Sequence, residues 1–251
     1  MSANGKVRIA AVGDLHYPRF PSAVVQPVFA HVGPRADVLL LCGDLTDHGT
    51  EDEARLLAKE LATVKIPIVA VLGNHDYESG KAEAVAAIFK DAAVHVLDGD
   101  SIEIDGVGFA GVKGFAGGFG ERALQAWGEP SIKAFVHEAV GEALKLESAL
   151  AKLRTPLRVA VLHYSPIHVT LEGEPPEIYP FLGSGRLEEP LTRYPVAAAF
   201  HGHAHRGRLQ GRTRDGALVY NVALPLLQTS MPDQPPVTIV ELTMPAAEAK
   251  A

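Results

Sequence analysis

Three apolar runs in the first third of the chain constrain its fold most, because a glycine and then a polar, potentially metal-binding side chain follow each of them. Each run predicts a short buried strand, at residues 7–12, 37–42 and 67–72. Helices are predicted after the strands, at residues 22–31, 50–64 and 81–91. The second helix begins with Thr50 and Glu53 in capping-box spacing. Strands that alternate with helices predict a largely parallel sheet, and ligands bind at the carboxyl edge of such sheets.

The rest of the chain has a different pattern. Short β segments separated by Gly and Asp predict a hairpin-like, antiparallel second sheet, at residues 95–97, 101–104 and 107–111. Further helices are predicted at 131–153 and 185–192, and further strands at 157–162, 196–200, 218–221 and 237–242. Residues 172–184 contain three prolines and are predicted to form a long surface loop.

Length and composition limit the possible classes of protein. The 251 residues, 47% hydrophobic and 21% charged, are typical of a well-buried globular chain, and we expect a single domain over residues 1–251 with short polar tails at 1–5 and 246–251. The net charge of −7 gives no indication of a nucleic-acid surface. We expect no membrane span, because no apolar run reaches the roughly 18 residues required. A lone cysteine, Cys42, excludes an internal disulfide, and the polar start predicts a cytoplasmic protein.

Seven potential metal ligands follow five of the predicted strands. They are Asp14, His16, Asp44, Asn74, His163, His203 and His205. Two carboxylates, one amide and four imidazoles exceed the three protein ligands of a catalytic zinc ion. They suit two metal ions about 3.5–4 Å apart that share a carboxylate. A nitrogen and oxygen set without thiolate favours Mn, Fe, Co, Ni or Zn.

The motifs that carry these residues resemble those of the calcineurin-like metallophosphoesterases, and most closely the class III cyclic-nucleotide phosphodiesterase branch. They are Asp14-Leu15-His16, Gly43-Asp44-Leu45-Thr46-Asp47, Gly73-Asn74-His75-Asp76, a lone His163 and Gly202-His203-Ala204-His205. The resemblance implies a four-layer α/β/β/α sandwich of two mixed sheets flanked by helices, with a dinuclear metal site at the carboxyl edge of the strands. Many members have glycine before the lone histidine, where this chain has Leu162.

The resemblance also implies how the ligands are shared between the two metals. Asp14, His16 and His205 would bind one ion. Asn74, His163 and His203 would bind the other. Asp44 would bridge both, and Mn and Fe are the metals that we expect first.

The function implied is metal-dependent phosphoester hydrolysis. A hydroxide held between two cations could attack phosphorus in line, and the leaving alcohol then requires a proton donor. His75 is the candidate donor, since in extended backbone it points away from its neighbour Asn74. The resemblance assigns His75 the same role and implies that Asp47 hydrogen-bonds it. A turn or cap is the alternative for Asp47, and Asp76 is expected to support the site or to cap a helix.

The substrate is expected to be a small phosphoester, a cyclic nucleotide among the possibilities, with no nucleic-acid partner. Loops at residues 17–20, 114–120 and 168–184 should select it. The alternatives are a DNA-end nuclease of the same superfamily, disfavoured by the acidic charge, and a non-catalytic scaffold, disfavoured because no ligand position is substituted. The choice between monoester and diester, the oligomeric state and the roles of His48, His168 and His201 stay open.

Overall fold

The strands of the chain form two mixed sheets in the computed structural model, which describes residues 5–20 and 22–244. Of the predicted polar tails, residues 1–4 and 246–251 lie outside the described residues. The strands are β1 (Lys6–Val12), β2 (Val38–Cys42), β3 (Ile68–Val71), β4 (Val94–Val96), β5 (Asp100–Ile104), β6 (Val107–Val112), β7 (Leu157–Leu162), β8 (Ala198–His201), β9 (Gln210–Arg212), β10 (Leu218–Asn221) and β11 (Thr238–Thr243). The α-helices are α1 (Ser22–Val32), α2 (Glu51–Leu61), α3 (Ala82–Asp91), α4 (Pro130–Lys152), α5 (Tyr179–Leu182), α6 (Glu188–Arg193) and α7 (Leu224–Ser230).

The two sheets pack face to face between two layers of helices. The first sheet has the order β11-β1-β2-β3-β4, in which β1 to β4 are parallel and β11 is antiparallel to β1. The second has the order β5-β6-β7-β8-β10-β9, with antiparallel pairs only at its two edges. Apolar faces of α1, α2 and α3 join the core of the first sheet, and α4 covers the second. The predicted four-layer α/β/β/α sandwich is confirmed.

Side chains on β6 show how the layers are built. Val107 and Phe109 are fully buried in the core between the sheets, whereas Ala110 and Val112 face the other way and pack in a cluster with Leu146 of α4. Successive residues of a strand point to opposite faces, so an unbroken apolar run requires cover on both sides. Each large side chain buried in this way contributes about 1.5–3 kcal/mol to the stability of the sandwich.

The structure corrects three predictions made from the sequence. The strand near residue 95 is β4, which extends the first sheet in parallel with β3 rather than joining the second. The second sheet is mixed, because only its edge strands pair antiparallel. Residues 172–184 are not an irregular loop, since they include a 3₁₀ turn at Pro176–Ile178 and the one-turn helix α5.

The capping box predicted for the second helix is confirmed. Thr50 accepts a hydrogen bond from the Glu53 N–H and in turn donates its own N–H to Glu53 Oε2, at 3.4 and 3.1 Å. This cap fixes where α2 begins, directly after the segment that follows β2.

Candidate metal centre

The predicted ligands come together at the carboxyl edge of the strands. Each strand contributes through the segment after it: β1 through Asp14 and His16, β2 through Asp44, β3 through Asn74, β7 through His163, and β8 through His203 and His205. Possible ligand atoms lie within 4.8 Å of one another in three groups, namely Asp14, His16 and His205; Asp44, His163 and His203; and His16, Asp44 and His75. Asn74 is close to the second group, with its Oδ1 2.9 Å from His163 Nε2.

Glycines make this close approach possible. A Cβ atom on Gly43 would overlap the ring of His163, and one on Gly202 would overlap the carboxylate of Asp14. Gly43 also has a φ of +80°, which favours glycine. A glycine before the ligand of one strand thus leaves room for a ligand from another strand.

The backbone is strained where the candidate ligands lie. Positive φ angles occur at six non-glycine residues of the described part of the chain, and four of these are candidate ligands, Asp14, His16, Asp44 and His203. Each such conformation costs about 1–3 kcal/mol and persists only where the surrounding structure enforces it. Strain concentrated in one cluster of polar side chains is typical of a functional site.

Asp44 belongs to two of these three groups, the one with His16 and His75 and the one with His163 and His203. Its Oδ1 is 3.4 Å from His163 Nε2 and accepts a hydrogen bond from the His75 N–H at 2.8 Å. Its Oδ2 is 3.7 Å from His16 Nε2. The two oxygens therefore face imidazoles of different groups, which is the arrangement that a bridging carboxylate requires.

Buried ring nitrogens show that the site fits cations. His16 is 2% exposed, and its Nδ1 and Nε2 have no hydrogen-bond partner among the described residues. The Nδ1 of His163 lies 3.0 Å from the Cys42 carbonyl oxygen, which can only accept, so Nδ1 carries the proton. Its Nε2 then presents a lone pair towards oxygens of Asn74 and Asp44. Lone pairs that converge in a buried site suit a shared metal ion.

Burial favours the neutral, metal-binding state of three of the four candidate imidazoles. Desolvation lowers the pKa of His16 and of His203 to about 4 each, and it lowers the pKa of His163 well below the usual range. Burial and the nearby charges of Asp14 and Asp76 raise the pKa of Asp44. Neutral imidazoles beside mutually repelling buried carboxylates are the electrostatic setting that a cation would stabilise.

Asp14 anchors the last segment of the site. It is fully buried, and both its oxygens accept from the His203 N–H, at 3.0 and 2.9 Å. Its Oδ1 is 2.9 Å from His205 Nε2. Burial would raise the pKa of Asp14, but the hydrogen bond from His205 and the charge of His205 outweigh burial and lower it.

His75 is held through the main chain of Asp47. The Nδ1 of His75 donates to the Asp47 carbonyl oxygen at 2.7 Å, and the imidazole is 32% exposed. The Asp47 carboxylate instead lies 3.3 Å from His16 Nδ1, 3.6 Å from His48 Nδ1 and 3.8 Å from Arg19 Nη1. A hydrogen bond between Asp47 and His75 is thus present, but it does not involve the Asp47 side chain.

Asp76 has a larger role than a helix cap. Its carboxylate is fully buried and accepts four hydrogen bonds, from the N–H groups of Gly73, Leu45 and Thr46 and from the Thr46 hydroxyl. It therefore joins the segment after β2, which carries Asp44, to the segment after β3, which carries Asn74. The sequence motif contains Asp76 but does not reveal these partners.

Two further buried residues support the segment that carries His203 and His205. The His201 imidazole is 2.8 Å from the Thr170 hydroxyl, and burial lowers the pKa of His201 to about 4. Asn221, at the end of β10, donates to the Ala204 carbonyl oxygen at 2.8 Å. Nothing in the sequence indicated Asn221. Of the other two histidines left open, His48 lies 3.1 Å from Glu53 Oε1, and His168 lines a cleft described below.

Within residues 5–20 and 22–244, none of the helices combines the length and the apolar character needed to cross a membrane.

Comparisons with known proteins agree with this architecture. The sequence profile of the calcineurin-like phosphoesterases matches residues 7–207. The protein named probable glycerophosphodiester phosphodiesterase GpdQ of Arcobacter nitrofigilis is 27% identical over 179 residues, which are 69% of this chain and 58% of that protein. The chain therefore spans less than two thirds of the length of this curated relative.

Two solved structures are similar in fold. The phosphopantetheinyl hydrolase PptH of Mycobacterium tuberculosis superposes with a TM-score of 0.68 at 17% identity, over 99% of both chains. A protein of Thermus thermophilus superposes with a TM-score of 0.52 at 16% identity, over 88% of this chain and 91% of its own. At these identities the similarity concerns the fold alone.

Proposed function

The chain belongs to the calcineurin-like phosphoesterase family, and from this membership we propose that it is a metal-dependent hydrolase of small phosphodiesters. The observation that carries the proposal is the position of Asp44, whose two oxygens face imidazoles of two different ligand groups. Asp14, His16 and His205 would hold one cation, and Asn74, His163 and His203 the other. Mn and Fe are the ions proposed, with Zn, Co and Ni as alternatives for the same nitrogen and oxygen donors.

Bound cations would supply Lewis acidity towards the phosphoryl oxygens and lower the pKa of water at the site to about 7. The residues of this chain do the positioning. Asp76 and Asn221 fix the segments that carry ligands, and the Cys42 carbonyl oxygen orients the ring of His163 so that Nε2 faces the site. Such supporting contacts typically change metal affinity 10–100-fold when they are removed.

His75 is proposed to protonate the leaving alcohol. Its Nδ1 proton is held by the Asp47 carbonyl oxygen, so a second proton, on Nε2, is the one that it can donate. Its ring lies 4.4 Å from that of His16, and its exposed fraction leaves it open to a substrate. General acid catalysis of this kind contributes about 10²–10⁴-fold to the rate.

The proposed substrate class is based on the similarity to the protein named probable glycerophosphodiester phosphodiesterase GpdQ. A glycerophosphodiester or another small diester, a cyclic nucleotide included, is proposed before a monoester. Single-stranded DNA is the substrate of the alternative nuclease function, and turnover of no ester at all is the outcome for a scaffold.

The test combines metal analysis with the hydrolysis rates of two phosphodiesters by the same metal-loaded protein. The His75→Ala variant should retain both metals and hydrolyse bis(p-nitrophenyl) phosphate, whose leaving group needs little protonation, with a modest loss. It should lose about 10²–10⁴-fold on an alkyl diester such as glycerophosphoglycerol, whose alkoxide must be protonated.

His137→Ala is the matched control, because His137 is an exposed histidine of α4 outside the candidate site. It should behave as the wild type with both esters. An equal loss with both esters in His75→Ala would contradict the acid role. If the wild-type protein with two metals bound hydrolysed neither ester, the hydrolase proposal would be refuted. A substrate panel of cyclic AMP, p-nitrophenyl phosphate and single-stranded DNA would separate the substrate classes.

A further inference from the structure

An open cleft of about 640 Å³ has Phe181 in its lining, and Phe181 contacts the candidate ligand His203. Four aromatic side chains, Phe119, Phe135, Tyr179 and Phe181, form much of its wall. Its size is within the range of small-molecule sites, which are mostly apolar with a few polar groups. We call it the apolar cleft.

The lining of the apolar cleft contacts the segment that carries His203 and His205. The carbonyl oxygen of Phe181 is 3.3 Å from His203 Nε2. Ala204, between the two histidines, is buried in a small apolar cluster against which Phe119 and Tyr179 pack. The lining of the cleft thus contacts the segment that carries two of the candidate ligands.

The charge of the lining restricts the occupant. Arg122 and His168 are its ionisable basic side chains, and no carboxylate among the described residues lines it, although the chain carries a net charge of −7. A cationic group would meet Arg122 without a compensating acid. The Phe181 side chain is 60% exposed, so this wall of the cleft has apolar surface still to bury.

We propose that the apolar cleft binds the organic group of the substrate and selects diesters with an uncharged alkyl or aryl substituent over those with a cationic one. The proposal rests on the phosphoesterase function proposed above, and it narrows the substrate class of the same site. Transfer of apolar surface from water into the cleft provides the selectivity.

Binding of alkylphosphonates to the metal-loaded protein tests the proposal without turnover. Calorimetry with methyl-, butyl- and hexylphosphonate should show affinity rising by up to about fourfold per methylene, which is the effect of burying one CH₂ group. Incomplete burial reduces the total gain from methyl to hexyl to roughly 100-fold. 6-Aminohexylphosphonate should bind at least about tenfold more weakly than hexylphosphonate, because its ammonium group would meet Arg122.

Two variants locate the effect in the cleft. Ile132 lines the cleft and lies in the first turn of α4, where an acidic residue is compatible with the helix. Ile132→Asp should bind methylphosphonate as the wild type does and lose most of the chain-length gain. Phe181→Ala, at an exposed position, should likewise reduce the gain in affinity with chain length. Leu144→Ala, an exposed leucine of α4 outside the cleft, is the control and should leave the gain unchanged.

The outcomes separate the two proposals. Tight binding of methylphosphonate with no gain for hexylphosphonate would overturn the apolar cleft as the substituent site and leave the hydrolase function standing. A gain that persists undiminished in both Ile132→Asp and Phe181→Ala would overturn it too. No binding of any phosphonate, together with no turnover of bis(p-nitrophenyl) phosphate, would refute the hydrolase function itself.

Discussion

Replacement of Asp76 by Asn should destabilise the protein and weaken its metal site at once. The carboxylate of Asp76 accepts from Thr46 N–H at 2.8 Å and from the Thr46 hydroxyl at 2.6 Å through Oδ1, and from Gly73 N–H at 2.8 Å and Leu45 N–H at 3.2 Å through Oδ2. An asparagine keeps the shape of the side chain but presents an NH₂ group where one of these oxygens now accepts. Whichever way the amide turns, at least one buried N–H group faces a donor.

The asparagine would take whichever of the two amide orientations costs less free energy, and that orientation sets the loss of stability. With the amide nitrogen towards Thr46, the hydroxyl can rotate and accept, so one backbone N–H is left unpaired and the remaining bonds lose their charge assistance. Buried unsatisfied donors cost about 1–3 kcal/mol and hydrogen bonds to charged groups contribute about 1.5–3 kcal/mol, so we expect a loss of about 2–4 kcal/mol. For a chain of this length that loss lowers Tm by about 5–15 °C.

Urea denaturation and thermal melting of the metal-free protein measure this loss of stability. Calorimetric titration with Mn²⁺ measures the metal affinity. Metal affinity should fall about 10–100-fold, because Asp76 holds the segments that carry Asp44 and Asn74. Asp52→Asn is the matched control, since the Asp52 side chain is 92% exposed and its change should stay within about 0.5 kcal/mol. A free energy of unfolding and a metal affinity both equal to those of the wild type would refute this reasoning.

Two further predictions concern a buried histidine and the Asp47 side chain. Burial lowers the pKa of His201 to about 4, below its unfolded value of about 6.5, so the unfolded state binds the extra proton and the stability of the protein falls as pH drops through this range. By urea denaturation, the wild type should lose roughly 2–3 kcal/mol of stability relative to His201→Gln between pH 7 and pH 4. Parallel pH curves for the two proteins would contradict the assignment. Asp47→Asn should weaken Mn²⁺ binding about tenfold in calorimetry, because the Asp47 carboxylate faces His16. It should leave the ratio of the hydrolysis rates of aryl and alkyl esters unchanged, because the Asp47 carbonyl oxygen, not its carboxylate, holds His75. A changed ratio would show that the carboxylate acts on His75.

The elements carrying the site could be predicted because their signals are local. β2 and β3 are continuous apolar runs, β1 is mostly apolar, and a glycine follows each of them within two residues. The helix α2 has a capping box within four residues. Parallel strands then bring their carboxyl ends to one edge, so the convergence of residues far apart in sequence follows from topology. The resemblance supplied the division of the ligands between two metals, which stays a prediction until the metals are measured.

Elements without a local signal were misassigned or missed. β4 has only three residues, and its pairing with β3 depends on the path of α3 rather than on its own sequence. β9 is a three-residue edge strand without an apolar pattern. Prolines were interpreted as breaking residues 172–184, but in the first turn of a helix proline is favoured, as at Pro180 in α5 and Pro225 in α7.

The finer features of the site depend on contacts that no motif encodes. The Asp47 carbonyl oxygen reaches His75 because of the backbone path after β2, and Asn221 reaches Ala204 from a strand that carries no ligand. The apolar cleft combines side chains from residues 117–135 with others from residues 168–181. Sequence alone placed substrate selection in the second of these regions and in part of the first.

Titration of the metal-free protein with Mn²⁺, followed by calorimetry and by electron paramagnetic resonance, tests the central claim most directly. We predict two Mn²⁺ per chain with an exchange-coupled spectrum, since a shared Asp44 would hold the ions about 3.5–4 Å apart. Asp44→Ala should bind fewer than two and lose the coupling. A wild-type protein that binds one ion or two uncoupled ions, or full coupled occupancy in Asp44→Ala, would contradict the bridged dinuclear site.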